Sequence, residues 1–283
     1  VGCPAPATLA KGTFVLRRAW SRRAPAFIAA RKSAAEIPMK ISAGKRAVHN
    51  SSSNSLLLRL RQELRRLADP SRASAEQAYM KSEMPYHGVR LPIVRNICKQ
   101  LFAEVSFRTR TDWRGKVLGL WHGARYREER YAAIALTGVK SAAQFQIPEE
   151  MPLYEEMIVT GAWWDYVDEI AARRVGPILQ TYPEPMRKKM LSWSRSDNLW
   201  KRRTSILCQL GFKRSTNLDL LYACIEPSLD SKEFFLRKAI GWALRQYAWT
   251  DPIEVRRYVR RNKDRLSNLS RREALKNICA EPN

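Results

Sequence analysis

Histidine is nearly missing from this chain: 283 residues hold three, at positions 49, 87 and 122. The five cysteines, at 3, 98, 208, 224 and 279, form no CxxC pair. That leaves no metal-ligand spacing, and it suits reduced, buried thiols in a cytosolic type of protein. No Gly-rich phosphate loop occurs, and nothing else in the chain calls for a cofactor. No apolar run approaches the ~18 residues of a membrane span. No stretch alternates apolar and polar residues as a strand does. Acidic residues are scarce, with 27 Asp and Glu against 51 Lys and Arg, for a net charge of +24.

An excess of this size exceeds what solubility needs and implies a polyanionic partner: DNA, RNA or an anionic membrane surface. The nine tryptophans favour nucleic acid, because indole and guanidinium groups both stack on bases or pack on sugars. The length suits one large domain or two small ones. Residues 1–53 stand apart, with ten Lys/Arg against one acid, Glu36, and many Ala and Ser. The segment reads as an organelle transit peptide, a disordered basic arm, or translated sequence ahead of a start at Met39. The folded domain is therefore expected over residues 54–283, with disorder before it.

From Asn54 onward the text is helical, about a dozen helices broken by turn signals. These fall at Asp69–Pro70, Gly88, Gly123, Gly138, Ile147–Pro148, Tyr182–Pro183, Gly211, Glu226–Pro227 and Asp251–Pro252. Asp251-Pro252-Ile253-Glu254 and Ser270-Arg271-Arg272-Glu273 both read as capped helix starts, the second as a capping box. Trp164, Trp200 and Trp242 lie 36 and 42 residues apart, and Asp168 and Arg203 lie 35 apart. Such spacing matches the helix-pair repeat of HEAT-like solenoids, roughly 40 residues. The fold class expected is thus all-α, a curved α-α superhelix in which equivalent positions of successive repeats converge.

The chain is organised around Gly161–Gly176, where Trp164, Asp168, Ala171, Ala172 and Val175 share a helix face. A carboxylate on a mostly apolar face is costly unless paired. Two later helices repeat the mixture: Trp200, Arg203 and Leu207, then Phe235, Lys238, Trp242 and Arg245. Taken singly, such stripes are ordinary core. Three in succession at repeat spacing, each joining an aromatic to a charge, suit cleavage of an N-glycosidic bond in alkylated DNA. An alkylated purine already carries positive charge and leaves without a general acid. One carboxylate then serves to stabilise an oxocarbenium-like transition state and to orient water. Tryptophan faces favour the cationic species, and Arg and Lys hold phosphates.

At these residues the chain resembles the AlkD-type DNA alkylation repair proteins, HEAT-like-repeat glycosylases for 3-methyladenine and 7-methylguanine. The resemblance is carried by Tyr79-Met80-Lys81, Trp163-Trp164-Asp165-Tyr166-Val167-Asp168, Ser196 through Trp200 with Arg203, Lys232 through Phe235, Lys238 through Trp242, and Leu269 through Ala274. It spans about residues 74–280. It implies that Asp168 is the catalytic carboxylate, that Trp164 and Trp242 pack on the lesion nucleotide, and that Arg203 both supports Asp168 and binds phosphate. Tyr79, Lys81, Arg90, Trp200, Arg202, Lys238, Arg245, Arg271 and Arg272 are the expected DNA contacts. It also implies excision without flipping the base into a pocket. Better-known members carry Gln where this chain has Arg90, and some relatives excise bulky adducts, so the adduct stays open.

The expected partner is double-stranded DNA containing alkylated bases, bound by a monomer that uses neither metal nor cofactor. No Lys stands out as a Schiff-base nucleophile, which favours a monofunctional enzyme. A bacterial source would place it in the cytoplasm at the nucleoid; organelle targeting through residues 1–53 stays open. Two other readings compete: a non-catalytic HEAT-like protein that binds distorted or branched DNA, and a protein-binding scaffold with incidental charge.

Overall fold

The computed structural model describes residues 46–278. The expected disorder before residue 54 lies mostly outside that range, and within it α1 (Arg46–Arg66) already begins at Arg46. Among the described residues the secondary structure is helical, with no strand. Fourteen α-helices follow in order: α1, α2 (Pro70–Met80), α3 (Leu91–Leu101), α4 (Arg110–Gly123), α5 (Arg127–Thr137), α6 (Met151–Gly161), α7 (Trp164–Ile170), α8 (Gly176–Thr181), α9 (Pro183–Ser194), α10 (Leu199–Leu207), α11 (Leu218–Ile225), α12 (Phe234–Tyr247), α13 (Pro252–Arg261) and α14 (Asn268–Leu275). None is long and apolar enough to cross a membrane.

The helices stack as a solenoid of pairs, as the sequence led us to expect. One row runs α5, α7, α10, α12, α14, each helix packed on the next. The other runs α4, α6, α9, α11, α13. It is joined by packing of α4 on α6 and of α9 on α11, by the Lys189–Glu155 ion pair between α9 and α6, and by stacked Tyr222 and Tyr258 between α11 and α13. The apolar interior between the rows divides in two. The first cluster is built around Trp113, Trp121, Tyr154, Tyr166 and Trp193; the second joins Ile206, Leu221, Ile240, Leu244 and Val255. Three cysteines, Cys98, Cys208 and Cys224, are buried as free thiols in this interior.

Local chemistry explains most of the boundaries. Asp69 caps α2 by accepting from Arg72 N, with Pro70 in the first turn. Asp251 accepts from Glu254 N ahead of Pro252, as the sequence pattern requires. The start of α14 differs from the expected capping box. Ser267 is the cap, accepting from Ser270 N, and the helix begins three residues early. Ser270 donates instead to Arg237 O on α12, and Glu273 is drawn off to two cations of that helix. Tertiary partners outbid the local box.

At Gly176 the chain does not stop. The chain passes from α7 through one π-helical turn, Ala171–Val175, straight into α8. A Cβ on Gly176 would lie 2.4 Å from the carbonyl oxygen of Cys208, so the glycine lets α8 approach the end of α10. Gly88 does turn the chain: its φ is +80° and a Cβ there would meet Asp69 O at 2.1 Å.

Candidate functional site: charged rungs along one helix row

Helix α6 ends at Gly161, and Ala162 takes a left-handed conformation that lets α7 start afresh at Trp164. One turn later Asp168 points into the contact with α10 and is 4% exposed. Arg203, 1% exposed, meets it from α10 in a bidentate pair: Nε donates to Oδ1 at 2.7 Å and Nη2 to Oδ2 at 2.8 Å. Its remaining nitrogen, Nη1, donates to Phe235 O on α12 at 2.5 Å. One guanidinium thus joins three successive helices of the row. Burial pushes the Asp168 carboxyl above its ordinary value, and the Arg203 charge opposes that rise. Each carboxylate oxygen accepts one bond from Arg203 and keeps a second lone-pair position.

Half-buried Trp164 and Trp242 lie on the same row, on α7 and α12. Trp200 does not join them at the surface. It is 8% exposed and packs in an aromatic cluster with Trp163 and Phe235, at centroid distances of 6.2 and 5.1 Å. Trp200, expected to contact DNA, is thus packed against Phe235 of α12 instead of lying open at the surface. Arg203, expected to bind phosphate as well as to support Asp168, is buried, with its guanidinium bonded to Asp168 and Phe235. Arg202 is half-buried and directed the other way, donating to Ser228 Oγ and Pro227 O beside α11.

Lys238 and Arg245 flank Trp242 on α12 at one turn before and one turn after. Both reach the same carboxylate, Glu273 of α14, at 2.6 and 2.5 Å. Gly241 permits this closeness, since a Cβ there would lie 2.5 Å from that of Glu273. Tyr79 (56% exposed), Lys81, Arg90 and Arg272 are exposed, and Arg271 is half-buried with a hydrogen bond to Asn268. The loop that carries Arg90 is held by Glu128, whose carboxylate accepts from the backbone N–H of His87, Gly88 and Val89.

A third rung joins α5 to α7. Buried Arg127 donates to both oxygens of Asp165 at 2.6 and 2.7 Å, and Tyr131 Oη donates to Oδ2 at 2.5 Å. Burial is the largest single influence and works against the Arg127 charge, but Asp165 together with Tyr166, Tyr131 and Tyr86 outweighs it and the net shift is upward. Asp165 and Asp168 are one turn apart, so the two rungs clamp α7 from both sides. Arg127, Tyr131 and the pairing of Glu273 were not evident from the sequence. The signal was present: Arg127–Asp165 are 38 residues apart, Asp168–Arg203 35, and Lys238–Glu273 35. Among the described residues no cluster of three or more His, Cys, Asp or Glu is placed to hold a metal ion.

The chain matches the family model of the DNA alkylation repair enzymes over residues 60–278. It is also similar to the solved structure of a predicted DNA alkylation repair enzyme from Enterococcus faecalis. The two share 29% identity and a TM-score of 0.68, over 75% of this chain and 97% of that one. No curated protein sequence matches the chain.

Proposed function

The chain belongs to the family of DNA alkylation repair enzymes, and from that premise we propose that it is a monofunctional DNA glycosylase for cationic alkylpurines in duplex DNA. The observation that carries this reading is the buried bidentate pair of Asp168 and Arg203, set between half-buried Trp164 and Trp242 on one helix row. The bond from C1′ to the purine breaks with its electron pair going to the already positive base, which leaves neutral. Asp168 supplies negative charge beside the developing oxocarbenium ion, and its free lone-pair positions receive a proton from the attacking water. Trp164 and Trp242 stabilise the same cation through their ring faces. Arg203 is a positioning residue: it fixes both carboxylate oxygens without touching the nucleotide. Tyr79, Lys81, Arg90, Arg271 and Arg272 hold the strands, and the damaged base stays in the duplex rather than entering a pocket.

One observation favours a second reading, a protein that binds distorted or branched DNA without cleaving it. Asp168 is 4% exposed and both its oxygens are engaged by Arg203. Release of methylated purines from methylated duplex, followed by chromatography with wild type beside Asp168→Asn, separates the two. Release by wild type alone supports the glycosylase. No release from small-alkyl or bulky-adduct DNA by either protein, with binding retained, selects the second reading.

A further inference from the structure

The last pair of helices forms an open groove of which the reading above uses only Arg271 and Arg272. On one side Arg256 and Arg260 stand a turn apart on α13, with Lys263 in the turn that follows; on the other are Arg272 of α14 and Lys276 at its C-cap, and Val259 and Leu275 make the floor. Arg260, Lys263, Arg272 and Lys276 are exposed. Residues 252–278 hold nine Lys/Arg against three acids. Of those three acids Asp264 is exposed in the turn beside Lys263, and the other two are engaged elsewhere. Glu254 pairs with Arg257, Glu226 and Asp230 pair with Arg265, and Glu273 turns to α12. No ion pair involving Arg260, Lys263 or Arg272 is formed among the described residues.

We propose that the α13/α14 groove is a second DNA-backbone site, which takes the phosphates of one duplex arm beyond the lesion. This inference rests on the duplex-DNA reading above but not on base release. Two things favour DNA. Two facing sets of cations over an apolar floor fit a strand that presents phosphates in series and sugar edges beneath them. One wall of the groove, α14, also ends the row that carries Asp168, since α7, α10, α12 and α14 pack in succession. Packed helices lie about 8–10 Å apart, so the three steps from α7 to α14 cover roughly 25–30 Å, or about eight base pairs. An arm of that length reaches the groove; a shorter one does not.

The test is equilibrium binding of undamaged duplex of about 25 base pairs over a range of salt concentrations, where each phosphate contact contributes about −0.9 to the log–log slope. Wild type is compared with Arg260→Gln/Lys263→Gln/Lys276→Gln, which leaves Arg271 and Arg272 in place. A control of equal charge loss, Lys99→Gln/Lys140→Gln/Lys188→Gln, uses exposed cations from three separate elements. The groove variant is expected to lose roughly 2–3 units of slope and roughly tenfold or more in affinity, the control less than about one unit. Equal changes in the two variants would show that only net charge matters and would overturn the site, as would an unchanged groove variant or wild-type binding that ignores salt. All six positions are exposed, so the variants keep their cores. Because the duplex carries no lesion, failure of the glycosylase reading leaves this measurement intact.

Discussion

Two carboxylates on the same helix row answer their cations in opposite ways. At Asp168 burial wins: the carboxyl lies above its ordinary value although a guanidinium grips both oxygens. At Glu273 burial also pushes upward, but Lys238 and Arg245, with Lys276 nearby, pull the net shift below the ordinary value. The first pair is sealed, at 4% and 1% side-chain exposure; the second keeps 12–14% on each partner. Desolvation scales with how completely water is removed, whereas a second cation adds attraction at little further cost. The sealed rung holds a high-energy anion in a fixed place, which suits chemistry. The open rung is a well-neutralised clasp, which suits holding two helices and masking two cations.

The largest effect should come from the sealed rung. Asp168→Asn is expected to lower base release by roughly 10²–10⁴-fold while the protein still binds duplex; release at the wild-type rate would remove Asp168 from the chemistry. Next, Arg203→Ala strands a buried carboxylate, and thermal unfolding should show a loss of about 3–5 kcal/mol. A melt close to wild type would mean that the rung is far wetter than its geometry implies. Duplex affinity should fall only as far as folding does, since the Arg203 guanidinium is buried and bonded to Asp168 and Phe235.

The pH dependence sharpens the contrast. Because the folded pKa of Asp168 is raised, the acid limb of base release should sit above pH 3.8, after correction for spontaneous depurination. The linkage has a matching sign. The folded state holds that proton more tightly, so ionisation of Asp168 costs stability as pH rises from 3.8 through the folded value. Glu273 behaves oppositely: its contribution is present above 4.5 and is lost as pH falls through its lowered folded value.

The smallest effect is expected at the open rung. Glu273→Gln should cost about 1 kcal/mol or less in a melt, because the pair is partly solvated. It also unmasks Lys238 and Arg245, so duplex should bind more tightly and with a steeper salt slope. Weaker binding would place Glu273 in a role other than masking.

The helices themselves were legible because their signals are local. Asp69 and Asp251 cap the helices that follow, and prolines and glycines mark most of the ends. Repeat spacing gave the stacking of equivalent helices, and the family resemblance picked out Asp168 and Arg203, which do meet. What failed were statements about which way a side chain turns once neighbours compete for it. Trp200 and Trp164 read alike in sequence, yet one is buried in an aromatic cluster and the other half-open. Ser270 and Glu273 form a plausible local box, but α12 offers a carbonyl and two cations within reach. Sequence determined the helices, their period and the excess of positive charge, since these depend on residues a few positions apart or on the sum of the chain. Only the tertiary structure decided which charges are sealed, which are masked and which are left open along the groove of α13 and α14. Burial and pairing belong to neighbours some 35 residues away, and no local pattern encodes how much water they exclude.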